Sequence, residues 1–287
     1  MAGVLLRTAG GTALFVAFLW LVRIDDYRVA GMMLTFPMLN GIGLVAAGAN
    51  AERLTKAMLP VITLNGAMCF LFALALTWWE TARAHPAALT ALAAMLWLGV
   101  YVVLETRNVA VPAGAATAVF VSVCAVASVA ITYWLWPACV VAPGTAPGRA
   151  GGLAGVLESW VRILLFALSL TIVFGFAHRY QHAHAAIGRL AALPIVPLFG
   201  LYTVATVVPP DPAALGKLET MRSMVLVGWT FALVCAIAIS RYVMRSALAP
   251  SGTFNRFAAL IAGWALCLGC IVASAKIAAA LSGCGQG

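Results

Sequence analysis

Residues 31–44 read Gly-Met-Met-Leu-Thr-Phe-Pro-Met-Leu-Asn-Gly-Ile-Gly-Leu, and residues 188–201 read Gly-Arg-Leu-Ala-Ala-Leu-Pro-Ile-Val-Pro-Leu-Phe-Gly-Leu. Gly31, Pro37, Gly43 and Leu44 fall on Gly188, Pro194, Gly200 and Leu201 at one constant offset, without a gap. The similar residues Phe36 and Leu193 precede the two prolines. The match reads as an internal duplication centred on an interrupted helix. Proline lacks the amide hydrogen and clashes with the preceding turn, so it opens the backbone ladder. In hydrocarbon the freed carbonyl survives only where protein or a wet cavity covers it. Gly/Pro-interrupted segments at matching positions of two halves point to a transporter's binding site. The plainer alternative is that kinks and small residues serve close helix packing.

Composition sets the surrounding. Of 287 residues, 64% are hydrophobic and 9% charged, too little polar surface for a soluble domain of this size. Several apolar runs are long enough for a hydrocarbon slab of about 30 Å. They do not alternate with period two, which excludes an outer-membrane barrel. The expected fold class is therefore all-α and polytopic. The net charge of +9 does not imply nucleic acid, because the basic residues sit singly at segment ends, where Lys and Arg meet lipid headgroups. Arg outnumbers Lys 14 to 3 and Ala is abundant, which suggests GC-rich bacterial coding and a bacterial inner membrane. Only Arg7 precedes the first apolar run, and no small-residue cleavage site follows before Asp25, so that run is expected to be the first span and not a removable signal.

Nine spans are expected, near 5–22, 29–49, 57–78, 87–105, 109–135, 159–177, 186–208, 219–240 and 257–282. Short polar joints make neighbours antiparallel hairpins. The exception is the Gly/Pro-rich stretch 137–157, a natural linker between halves. Span seven comes five spans after span two, an odd number, so the duplicated copies should run in opposite directions. Residues 1–108 then form a first repeat of four helices, 109–152 a connector helix and loop, and 153–287 a second repeat. Nine Lys/Arg on one face against eight on the other lean the amino terminus inside.

All eight acidic residues lie at or near expected span ends, which argues against a proton-coupled carboxylate relay and a paired-acid catalytic site. At mid-depth stand Asn40 and Asn65, the latter beside Gly66. A buried unpaired amide costs about 1–3 kcal/mol, so each needs a partner: the other amide, the carbonyls freed near Pro37, or a polar substrate. Interhelical bonding is the structural alternative. The second half offers Tyr202, Thr203 and Thr206 instead. A substrate site between the halves would take Pro37, Asn40, Gly43 and Asn65 from one side and Pro194, Gly200 and Tyr202 from the other. His178 and His182, four apart, are weak metal candidates, with a wet interfacial cluster the plainer reading. Cys139 and Cys284 fall on one expected face, where a disulfide is open to them. Cys267 and Cys270 lie inside span nine and read as packing. Trp78, Trp79, Tyr133, Trp134 and Trp136 read as interface markers. No nucleophile elbow, zinc-protease motif, phosphate loop or dinucleotide fingerprint is present, and no cofactor is implied.

The expectation is a permease or exporter of a small polar or amphipathic solute, working by alternating access between two repeats. The alternatives are a membrane scaffold or assembly subunit, with a partner subunit or second copy, and a lipid-handling flippase or enzyme.

Overall fold

A computed structural model of the chain describes residues 2–24, 26–35, 51–107, 115–134, 159–179, 195–207 and 212–244, and isolated helical positions between 265 and 280. The described residues are helical throughout apart from short joints, with no strand among them. In chain order the helices are α1 (Ala2–Arg23), α2 (Tyr27–Thr35), α3 (Ala51–Trp78), α4 (Glu80–Ala84), α5 (Pro86–Thr106), α6 (Ala115–Trp134), α7 (Trp160–Arg179), α8 (Ile195–Val207) and α9 (Pro212–Met244). The all-α class is as the sequence implies. Two helices, Val4–Arg23 and Pro86–Thr106, are long and apolar enough to cross a membrane, and Leu64–Trp78, Trp160–Gly175 and Pro197–Val207 are shorter apolar stretches.

Local chemistry fixes several boundaries. Asp26 precedes α2 and its Oδ1 accepts a hydrogen bond from the Val29 amide at 3.3 Å, an N-cap that satisfies one orphan donor. Arg28 lies 3.5 Å from the same oxygen. Pro86 opens α5 where a missing amide costs nothing. The joint after Trp78, polar in sequence, is itself the short helix α4. From it Arg83 reaches back and donates to the carbonyls of Leu76 (3.1 Å) and Thr77 (3.2 Å), closing the exposed end of α3.

The core is assembled from few pairings. On α1 and α7, Phe15 stacks on Phe166 at 4.3 Å, Arg23 meets Ser159 at 3.5 Å, and Thr171 bonds Thr8 at 3.3 Å. As one helix ascends the other descends, so the pair is antiparallel. Phe199 of α8 sets its edge against both rings and joins this pair. Helices α2 and α9 instead run parallel and in register. Lys217 lies over the Tyr27 ring, a Cβ on Gly31 would meet the Met221 carbonyl at 2.6 Å, and Thr35 donates to the Val225 carbonyl at 3.1 Å. Every one of these pairs is separated by the same number of residues. Gly31 and Gly228 allow the approach, since a Cβ on Gly228 would lie 2.7 Å from the Met32 carbonyl. Helix α3 crosses α9 antiparallel: Gly66 sits under Trp229 and Thr77 meets Arg222. Helix α5 pairs with α3, burying Val61, Trp97 and Leu104 together.

Candidate functional site

The buried polar groups concentrate on the seam between α3 and α9. Among the described residues the buried polar side chains are Thr77, Thr203, Thr220, Arg222 and Ser223, and Arg222 is the one that carries a charge. Arg222 is 5% exposed, and its Nη1 donates to the Thr77 hydroxyl at 3.3 Å. Removing an ionised group from water costs several kcal/mol, and a hydrogen bond to a charged group returns about 1.5–3 kcal/mol. Glu219, one turn earlier on α9, is the acidic residue that acts on it electrostatically. Two turns further along α9 stands Trp229, 9% exposed, whose indole nitrogen is buried with no hydrogen-bond partner among the described residues.

Trp229 marks the point where α3 presents Asn65 and Gly66. Gly66 is buried directly under the Trp229 ring, and no larger residue fits there without moving it. Asn65 turns the other way, and its Oδ1 accepts a 2.6 Å hydrogen bond from the Trp97 indole of α5. Two indoles thus flank one Asn-Gly pair. Between Asn65 and Thr77 the seam extends about 18 Å along α3, at 1.5 Å per residue. Below it Met68, Cys69 and Phe72 of α3, Ala93 and Trp97 of α5, and Pro197, Leu198 and Leu201 of α8 converge on a small gap.

Of the site residues expected from sequence, Asn65 lies on α3 next to this seam but bonds away from it, toward α5. Its partner is Trp97, a residue the sequence reading did not name. Gly200 is buried on α8 in contact with Leu34 of α2 and Phe18 of α1, so the described parts of the two duplicated stretches meet. Tyr202 is partly buried on α8. Thr203 and Thr206 donate along their own helix, to the carbonyls of Phe199 (2.8 Å) and Thr203 (2.9 Å). Pro37, Asn40, Gly43 and Pro194 lie outside the described residues, as do His182, Cys139 and Cys284. His178 falls in the last turn of α7, with its side chain outside the description. No group of three His, Cys, Asp or Glu suited to a metal occurs among the described residues.

Sequence reasoning missed Arg222. It stands near the start of an expected span, where an Arg ordinarily reaches headgroups, and only the early start of α9 at Pro212 puts it well inside a helix. A second feature absent from the sequence reading is an apolar groove of about 640 Å³ between α3 and α5, lined by Leu64, Leu92, Met95, Leu96, Gly99, Val100, Val103 and Leu104.

No protein-family model, curated protein or solved structure matches this chain, so the geometry of the α3/α9 seam is what its function is argued from.

Proposed function

We propose that the chain is a multi-pass permease or exporter of a bacterial inner membrane, built from two inverted repeats, that moves a small polar or amphipathic solute along the α3/α9 seam. The membrane part of the reading is supported by what the helices leave uncovered. Leu92, Met95, Leu96, Leu98, Val102 and Val103 of α5 are exposed, as are Val161, Leu164, Leu165, Leu168 and Ile172 of α7. Water would not tolerate apolar faces of that extent on a monomer. Trp78, Trp79, Tyr133, Trp134 and Trp160, exposed at helix ends, suit the aromatic belts of an interface.

The observation that carries the transport reading is the pairing pattern. In a nine-span count α1 and α7 are corresponding spans one and six, and α3 and α9 are spans three and eight. A two-fold axis in the membrane plane requires corresponding helices that touch to cross antiparallel, and both pairs do so. Leu34 and Gly200 bring spans two and seven into contact as well. The parallel α2/α9 pair, spans two and eight, has the direction that this count demands. A scaffold has no need of a charged and hydrogen-bonding seam between its repeats, where buried ionisable groups usually mark pathways. The α3/α5 groove is apolar and lies along the middle and far part of α5, which suits lipid tails better than headgroup chemistry.

The test is flux. Proteoliposomes loaded with a mixture of small polar metabolites are expected to release a subset faster than protein-free vesicles, as followed by mass spectrometry. Asn65→Ala and Asn40→Ala are expected to slow that release. Release equal to that of protein-free vesicles removes the transport reading, and unchanged release in both variants removes the site.

A further inference from the structure

We infer that the groove between α3 and α5 seats one acyl chain of a phospholipid, with the lipid phosphate held at Arg107. The inference uses the membrane part of the proposed reading and is independent of transport. The groove, about 640 Å³, follows one stripe of α5, in which Leu92, Met95, Leu96, Gly99 and Val103 recur at three- and four-residue steps, and Leu64 of α3 faces it. No lining side chain is polar. The next step along the same stripe is Arg107, four residues after Val103 and three after Leu104. It is exposed, and as the C-cap of α5 it keeps a right-handed helical backbone, so it continues the stripe. The stripe thus passes from hydrocarbon to a single cation, the order of a lipid tail and its headgroup.

Length and shape favour a lipid chain over a partner helix. From Leu92 to Leu104 the groove runs about 18 Å at 1.5 Å per residue. One leaflet of hydrocarbon is about 15 Å, half of a core of about 30 Å, and Arg107 then stands at its outer edge. At Gly99 a built Cβ meets nothing within 4 Å, so the groove has a notch that α3 leaves unfilled. A partner helix would use such a notch through small residues one turn apart, which let two backbones approach. Here the residues one turn either side of Gly99 are Met95 and Val103, both exposed and bulky. A flexible chain passes between those rims where a helix backbone does not. The floor is fixed, because the Trp97 indole donates to Asn65 at 2.6 Å and Val61, Trp97 and Leu104 are buried together. Charge agrees. Helix α3 runs antiparallel to α5, so its first two turns, with Arg53 and Lys56 against Glu52 in sequence, begin at the Arg107 end. Adding Arg107 and the half-buried Glu105 leaves that end positive, which complements a phosphate.

Native mass spectrometry of the full chain reads the site directly. The chain in detergent is incubated with phosphatidylglycerol, phosphatidylcholine or diacylglycerol of the same acyl chains, and the lipid retained per chain is counted. One phospholipid per chain is expected, with diacylglycerol held about two- to fivefold less, the worth of one exposed charge contact. Arg107→Gln is expected to bring both phospholipids down to the diacylglycerol level. Gly99→Leu, which fills the notch, is expected to lower retention of all three about tenfold, the worth of roughly two methylenes of apolar contact. A phosphatidylglycerol with a diazirine in its acyl chain is expected to crosslink within residues 92–104 and at Leu64. No retained lipid, crosslinks confined to other helices, or full phospholipid retention in Arg107→Gln overturns the inference. So does a dimer that Gly99→Leu splits with no lipid crosslink on α5, since the groove then belongs to a second copy. Should Gly99→Leu fail to fold, the wild-type crosslink map and Arg107→Gln, a change at an exposed position, decide the matter. Lipid held on α5 without flux in the vesicles leaves the site standing and removes the permease. Flux with no lipid held on α5 does the reverse.

Discussion

At the scale of single residues, the Asn65-Gly66 pair carries two separable jobs. Gly66 makes room for Trp229, because a Cβ there would overlap the indole ring. Gly66→Ala is therefore expected to destabilise the bundle by about 1–3 kcal/mol as the ring is forced aside. It should also move the tryptophan fluorescence maximum, and unchanged thermal unfolding with unchanged emission would contradict this packing. Asn65 instead anchors Trp97. A double-mutant cycle of Asn65→Leu and Trp97→Phe is expected to return a coupling of about 0.5–1.5 kcal/mol, the net worth of one neutral hydrogen bond. A coupling near zero would mean that the two side chains act independently. Asn65 was legible in the sequence, because an amide deep in an apolar run demands a partner. Trp97 was not, since which residue of a neighbouring helix faces it depends on the register of two packed helices. Arg222 was hidden for a related reason. Its burial follows from an α9 that begins about two turns earlier than hydropathy alone implies.

At the scale of elements, the glycines divide into those that set a helix contact and those that set none. Gly31 and Gly228 let α2 and α9 approach until backbone meets backbone, with Cβ atoms there placed 2.6 Å and 2.7 Å from the carbonyls of Met221 and Met32. Gly99 of α5 and Gly175 of α7 have nothing within 4 Å of a built Cβ. The same substitution should act in opposite senses. Gly31→Ala and Gly228→Ala are expected to separate α2 from α9 and lower the unfolding temperature in detergent. Gly99→Ala and Gly175→Ala are expected to leave it unchanged or raise it, with up to about 1 kcal/mol gained from helix propensity. Four equal shifts would show that propensity alone is being read. Among the described residues hydropathy located the helices, and the prolines at 86 and 212 mark true starts. It could not reveal that Gly31 is a contact glycine and Gly99 an open one, because both are Gly in apolar helical sequence. Only the neighbour decides, and the neighbour of Gly31 is nearly 200 residues away.

At the scale of the molecule, the proposal stands on direction. Arg23 at the end of α1, Ser159 before α7, and Thr77 with Arg222 lie at one end of the bundle, since Arg23 bonds Ser159 and Arg222 bonds Thr77. His85 follows Thr77 closely through α4 and belongs to that end. Arg107 terminates α5, about 31 Å away at 1.5 Å per residue, close to the thickness of a hydrocarbon core. If α5 spans a bilayer, His85 and Arg107 face opposite compartments, and Ser159 shares the compartment of His85. The intervening connector must then cross once. Under the proposed reading, that crossing would make the second repeat start on the side opposite the first and run inverted. Single cysteines at 85, 107 and 159, in a chain whose native cysteines are replaced by alanine, are expected to divide accordingly. A membrane-impermeant maleimide added to intact cells should label positions 85 and 159 together and spare 107, or label 107 alone. The choice between those outcomes fixes the orientation, which a basic-residue count of nine against eight leaves nearly balanced. Labelling of 85 and 107 from the same side would mean that α5 does not cross. Labelling of 85 and 159 from opposite sides would make the halves parallel, and antiparallel crossings of α1 with α7 and of α3 with α9 would then have no two-fold relation behind them.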